Sequence, residues 1–140
     1  MARILCFDYG RVRIGASISD PNRIIASPLQ VFLRHKDLQV TFQEIQTKIK
    51  PLQPVDLLVV GLPLLLNGKE GEMATEAKSF AKALSDFLQI PFEVWDERLT
   101  SLQAERLLKQ DALSRKQRAQ KVDTLASTLI LQSYLSHLEK

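Results

Sequence analysis

Three acidic positions are set off by their neighbours. Asp8 ends a short apolar run and is followed by Tyr9-Gly10 and then Arg13-Ile14-Gly15. An acid at a strand tip beside glycines can be approached closely by a bulky anionic ligand. Asp96-Glu97 follows a second apolar run and continues as Arg98-Leu99-Thr100-Ser101. Asp123 precedes Ala126, Ser127 and Ile130, whose small members let that face press against a sheet and carry Asp123 toward the core. Each acid alone has a plainer explanation. Asp8 and Gly10 suit a turn, Thr100 or Ser101 suits a helix cap, and Glu97 with Arg98 suits an exposed ion pair. Asp123 suits a first-turn acid favoured by the helix dipole. Taken together, Asp8 on a first strand, Glu97 after a late strand and Asp123 on a final helix can converge at one sheet edge. Converging carboxylates shift one another's pKa values unless a cation neutralises them. Oxygen ligands without a His or Cys companion select Mg²⁺ or Mn²⁺.

The basic residues complement such a centre. The formal net charge is only +3, but Arg115, Lys116, Arg118 and Lys121 cluster in a stretch where Asp111 is the one acid. Arg11 and Arg13 form a second group in the glycine-bounded turn. Clusters of this kind bind phosphate backbones through counterion release, or else form a solvated face. Arg13 and Arg98 are candidates to hold phosphates beside the acidic centre. His35 and His137 lack a partner at ligand spacing, Cys6 reads as a small core residue, and Trp95 reads as packing more than as a base-stacking ring. Leu64-Leu65-Leu66 beside Asn67-Gly68 is expected to fold back onto the domain, with a dimer contact or a wedge against bases as alternatives.

The elements that must position these groups alternate along the chain. Strands are expected over Arg3–Asp8, Arg13–Ser19 and Ile24–Leu33, the last confined by Pro28 to an edge or a bulge. Close spacing makes an antiparallel meander the economical connection. A helix over Leu38–Lys50 follows, then a buried strand over Asp56–Gly61, a helix over Gly71–Leu88 and a strand over Phe92–Trp95. A short helix over Leu102–Leu108 and a final helix over Val122–Leu138 complete the order, with Asp123 opening the last helix. Asp111–Gln120, polar and without apolar periodicity, is expected to be mobile. The order predicts an α/β fold: a five-stranded mixed sheet with helices on both faces.

The 140 residues fit a single domain spanning 1–140. One cysteine excludes an internal disulfide. No apolar run suits a membrane span or a secretory signal, so a cytoplasmic protein with no membrane partner is expected.

The ordered set Asp8-Tyr9-Gly10, Arg13-Ile14-Gly15, Gly61-Leu62-Pro63, Asp96-Glu97-Arg98-Leu99-Thr100-Ser101 and Val122-Asp123 with Ala126 resembles the YqgF family. That family is also called RuvX, the Holliday-junction-resolvase-like pre-16S rRNA nucleases. The resemblance implies a ribonuclease-H-like fold and a metal-dependent nuclease that processes the 5′ end of the small-subunit ribosomal RNA precursor. It carries the acidic positions over to Asp8, Glu97 and Asp123, with Asp96 less tightly matched. Two departures stand out. Asn67-Gly68 replaces an aspartate before the glycine, and Ser127 replaces a second alanine. A DNA-junction endonuclease and a non-catalytic nucleic-acid-binding regulator are the alternatives on the same fold, as a monomer or a homodimer. A phosphotransferase of the actin and sugar-kinase type would need a second domain.

Overall fold

The computed structural model describes residues 1–65, 67–97 and 115–138, and of residues 115–123 the backbone. Strand β1 (Arg3–Asp8) lies at the centre of a five-stranded sheet of order β3-β2-β1-β4-β5. It pairs antiparallel with β2 (Arg13–Ser19), which pairs antiparallel with β3 (Ala26–Leu33). On its other side β1 runs parallel to β4 (Val55–Leu62), and β4 runs parallel to β5 (Phe92–Asp96). Helices α1 (Leu38–Ile49) and α2 (Glu72–Leu88) are the crossovers, and α3 (Arg115–Leu138) ends the described chain.

Pro28 sits on the edge strand opposite Ser17, where the β2–β3 register shifts. A residue without a backbone N–H is tolerated there, so both of its expected settings apply at once. The β1–β2 connection is tight: a Cβ on Gly10 would stand 2.4 Å from the Arg13 carbonyl oxygen.

The two-residue period of β1 divides the core. Leu5, Phe7 and Tyr9 face the layer containing Phe42 and Ile45 of α1 and Phe80 and Leu84 of α2. Ile4 and Cys6 face the opposite layer with Ile130, Leu131, Tyr134 and Leu135 of α3. Phe80 meets the rings of Phe7, Tyr9 and Phe42 at centroid distances of 5.7, 5.0 and 5.9 Å. Alternation puts Asp8 on the α3 side, in line with Ile4 and Cys6.

The last helix differs from expectation. It begins at Arg115, not Val122, so Arg115–Gln120 is helical although expected to be mobile, and 111–114 lie outside the described residues. Arg115 to Lys121 consists of good helix formers with no glycine or proline, so propensity extends the helix beyond its apolar stripe. Asp123 therefore stands two turns inside the helix and is not its opening acid. The expected helix over Leu102–Leu108 lies outside the described residues.

Asn67-Gly68 forms the expected turn. Gly68 adopts φ 82° and donates to the Leu65 carbonyl at 2.8 Å, while Asn67 Oδ1 accepts from the Lys69 amide at 2.9 Å. Leu65 lies over Gly71 yet stays half exposed, and Leu66 lies outside the described residues. Cys6 is buried, and desolvation pushes its thiol up to about 12, as befits an inert core residue. Trp95 packs edge-on to Tyr134 at 5.4 Å and donates from its indole nitrogen to Ser133 Oγ at 3.2 Å. His35 pairs with Glu44, and His137 stacks beside Trp95.

Candidate active site

Because β1, β4 and β5 run parallel, their C-terminal ends share one edge of the sheet. Asp8 ends β1 there, opposite Gly15 of β2. Glu97 follows β5 directly, and its amide donates to the Leu62 carbonyl at 3.3 Å, which fixes it against the end of β4. Strand β4 lies between the two acids. At that point it presents Gly61, and a Cβ there would stand 2.2 Å from Glu97 Oε2 and 2.8 Å from Ile130 Cδ1. The missing side chain is the space the Glu97 carboxyl occupies.

That carboxyl is an expensive group to bury. Glu97 is 7% exposed, and its Oε2 has no hydrogen-bond partner among the described residues. Burial first, then the charge of Asp8 and a hydrogen bond shared with it, and last the charge of Asp96, push the Glu97 pKa up to about 8. Two carboxyl groups that share a hydrogen bond must hold a proton between them or face a cation. An orphaned buried oxygen beside this pair has the donor chemistry of a hard-cation site. Asp8 and Glu97 are thus brought together as expected. Asp96 lies one residue away, opposite Leu62, and adds to the negative field.

Helix α3 is held on this side of the sheet by a buried polar clasp. Ser127 Oγ donates to the Cys6 carbonyl at 3.1 Å, and the Ser17 hydroxyl lies 2.9 Å from both the carbonyl and Oγ of Ser127. Ser127 anchors at Cys6, while Tyr134, further along α3, meets Glu93 near the start of β5. The helix therefore runs opposite to the parallel strands. From Ser127 back to Asp123 the helix rises about 6 Å, and from Cys6 forward to Asp8 the strand advances about 6.6 Å. Asp123, one turn before Ser127, accordingly lies on the part of α3 that leads toward the C-terminal end of β1. The side chain of Asp123 lies outside the described atoms, and among the described residues no group of three His, Cys, Asp or Glu side chains is assembled.

Of the basic candidates, Arg11 and Arg13 lie at this same edge, in and just after the β1–β2 turn. Arg11 is engaged by Glu76 and Glu72. Arg115, Lys116, Arg118 and Lys121 all fall on the first two turns of α3, ahead of Asp123. Arg98 lies outside the described residues.

The roles of four residues escape a reading of the sequence. Gly61 acts by what it lacks: it ends an apolar run and opens the Gly61-Leu62-Pro63 motif, but neither signal shows that its missing side chain makes room for Glu97. Ser17 and Ser127 read as small residues, and nothing in their spacing shows that they meet across the core. Glu76 reads as an exposed helix residue, and its approach to Arg11 follows only from packing α2 beside β1.

The chain is similar to known proteins in sequence and in fold. A protein carrying the name "Putative pre-16S rRNA nuclease" from Protochlamydia amoebophila (strain UWE25) is 41% identical over 139 residues, covering 96% of this chain and 93% of the relative. One of the same name from Syntrophomonas wolfei subsp. wolfei is 42% identical over 133 residues, covering 95% and 93%. Among solved structures, Thermus thermophilus RuvC in complex with a Holliday junction substrate superposes with TM-score 0.56 at 11% identity, covering 100% of this chain and 98% of that one. Fowlpox virus resolvase with Holliday junction DNA gives TM-score 0.53 at 13% identity, covering 99% of both. These two likenesses establish the fold, which is ribonuclease-H-like. The model of the RuvX family, described as Holliday junction resolvase, matches residues 2–137, and with relatives this similar over nearly their whole length the chain belongs to the RuvX family of resolvase-like nucleases.

Proposed function

We propose that this chain, as one domain over residues 1–140, hydrolyses phosphodiester bonds in the precursor of small-subunit ribosomal RNA, using Mg²⁺ or Mn²⁺ held by Asp8, Glu97 and Asp123. The observation that carries the reading is the buried Asp8–Glu97 carboxyl pair, with Glu97 Oε2 unpartnered beside Gly61. When bound, the divalent cation supplies a lowered pKa for the attacking water and charge stabilisation for the departing oxygen. Asp8 and Glu97 give up their shared proton to become a dianionic seat, and Asp123 completes the oxygen set from the facing helix. Arg13 and Arg98 orient the phosphates on either side of the scissile one. The basic turns of α3 hold the polyanion at longer range. The names of the relatives point to precursor ribosomal RNA as substrate.

The family description as a Holliday junction resolvase favours a second reading, cleavage of branched DNA. Symmetric cutting of a junction needs a homodimer, whereas RNA trimming is open to a monomer. The protein is expected in the cytoplasm, where ribosomal precursors are processed. No helix among the described residues is long and apolar enough to cross a membrane.

One experiment separates the readings. The protein is incubated with precursor ribosomal RNA, unrelated single-stranded RNA and a four-way DNA junction, each with Mg²⁺, Mn²⁺ or chelator, and its mass in solution is measured. Metal-dependent cutting of the precursor is expected. Cutting of the junction alone, by a dimer, would replace the first reading with the second, and binding without cutting under every condition would leave a regulator.

A further inference from the structure

On the other side of the sheet edge from Asp8 lies a polar chain that the proposed cleavage does not use. Arg11 Nε and Nη2 both donate to Glu76 Oε2, at 2.9 and 2.5 Å. The Tyr9 hydroxyl donates to the other oxygen, Oε1, at 3.5 Å, and accepts from Arg34 Nε at 3.4 Å. Arg34 is itself pinned, with Nη1 donating to the His35 carbonyl at 2.6 Å and its amide to the Val12 carbonyl at 2.8 Å. Two guanidinium groups and a phenol thus converge, directly or through one another, on a single carboxylate. They hold the Glu76 carboxyl below the usual carboxylate range, the Arg11 hydrogen bond contributing most. Tyr9 is the residue after Asp8, and Arg11 belongs to the turn that follows it. The cluster therefore flanks the cleavage edge, with the Arg11 side chain 55% and the Glu76 side chain 37% exposed and Tyr9 buried behind them at 7%.

We infer that Arg11, Arg34 and the Tyr9 hydroxyl form a seat for a backbone phosphodiester of the bound nucleic acid, and that Glu76 occupies this seat in the free protein. The inference rests on the nucleic-acid-binding reading above and deepens it. Carboxylate and phosphodiester are both compact oxyanions, and a guanidinium recognises either with the same donors. An exposed ion pair of this kind is weakly held, whereas a polyanion gains from counterion release at every phosphate it places. Glu76 therefore acts as a resident competitor. Isolated anions do not displace it, and a strand anchored elsewhere along the edge does. Glu72, 3.6 Å from Arg11, adds to the same opposing field.

The test is equilibrium binding in chelator, so that neither metal nor cleavage enters the readout. The probes are a single-stranded fragment of precursor ribosomal RNA and a four-way DNA junction, each titrated at several salt concentrations. Glu76→Gln is expected to tighten binding about three- to tenfold and to steepen the slope of log affinity against log salt by about one, as one more phosphate contact would. In an Arg11→Ala background the same change should shift affinity less than about twofold, because no seat remains to be vacated. Arg34→Ala alone should weaken binding by a factor similar to Arg11→Ala. Tightening by only one of the two probes identifies whether the seated strand is RNA or DNA. Equal tightening in both backgrounds would show a net-charge effect and overturn the seat, as would no change on Glu76→Gln; neither result bears on cleavage at Asp8. A wild-type protein that binds neither probe would overturn the seat and the nuclease reading together, whereas binding with no metal-dependent cutting would overturn only the latter.

Discussion

Gly61 and Glu97 occupy one volume: a Cβ on the glycine would stand 2.2 Å from the glutamate Oε2. The central parallel strand thus yields its side-chain space to a carboxyl delivered from the neighbouring strand. Gly61→Ala should push Glu97 away from Asp8, since overpacking of a closed site typically costs about 1–3 kcal/mol. Cleavage should fall by about ten- to a hundredfold, with nucleic-acid affinity in chelator unchanged. Activity within twofold of wild type would show that the Glu97 position does not matter.

The Asp8–Glu97 pair makes stability depend on pH. Glu97 has its pKa raised from 4.5 to about 8 in the folded protein. Between these values the native state binds more protons than the unfolded state, so stability without metal should decline as pH rises from about 5 to 8. Asp8→Asn removes the repelling charge but not the burial, so it should lessen that decline without abolishing it and raise the metal-free melting temperature at pH 8. The same substitution should abolish Mg²⁺-dependent cleavage. Thermal melts across this pH range check the first expectation, and cutting at the wild-type rate would refute the second.

Metal binding should be proton-linked for the same reason. Mg²⁺ or Mn²⁺ must displace the proton held on the pair, so affinity should rise with pH up to about 8 and binding should release protons. Calorimetry in buffers of different ionisation enthalpy reads this directly. Glu97→Gln should remove both the binding and the proton release.

The serine clasp sets where α3 lies along β1. Ser127→Ala removes the hydrogen bond from its hydroxyl to the Cys6 carbonyl and should cost about 0.5–1.5 kcal/mol of stability while keeping the helix close and cleavage largely intact. Ala126→Leu, at a buried neighbour, should instead lift the helix and reduce kcat with little change in nucleic-acid affinity. Equal activity in the two variants would disconnect helix position from catalysis.

Arg115, Lys116 and Arg118 lie on helical backbone. Replacing all three with Gln should weaken binding to every nucleic acid and lower the salt slope by about two to three, leaving metal affinity unchanged. An unaltered slope would assign them to a solvated face.

Local chemistry was enough to predict the order of strands and crossover helices, the turn at Asn67-Gly68, the bulged edge position of Pro28 and the acids at two strand ends. Each follows from a period, a breaker or a residue type acting over a few neighbours. The family resemblance added the ribonuclease-H-like fold. Apolar period alone misjudged the start of the last helix, because Arg115–Gln120 carries no apolar period in its sequence although its residues are good helix formers. The tertiary structure alone decided what the acids experience. That Glu97 is buried beside Asp8 depends on a parallel neighbour, β4, offering a glycine where they meet, and that α3 is held against β1 at Cys6 depends on two serines far apart in the chain. Glu76 meets Arg11 for the same reason, across α2 and the β1–β2 turn. A pKa shift, a steric vacancy and an ion pair are all set by distances between residues remote in sequence, and no local pattern encodes those distances.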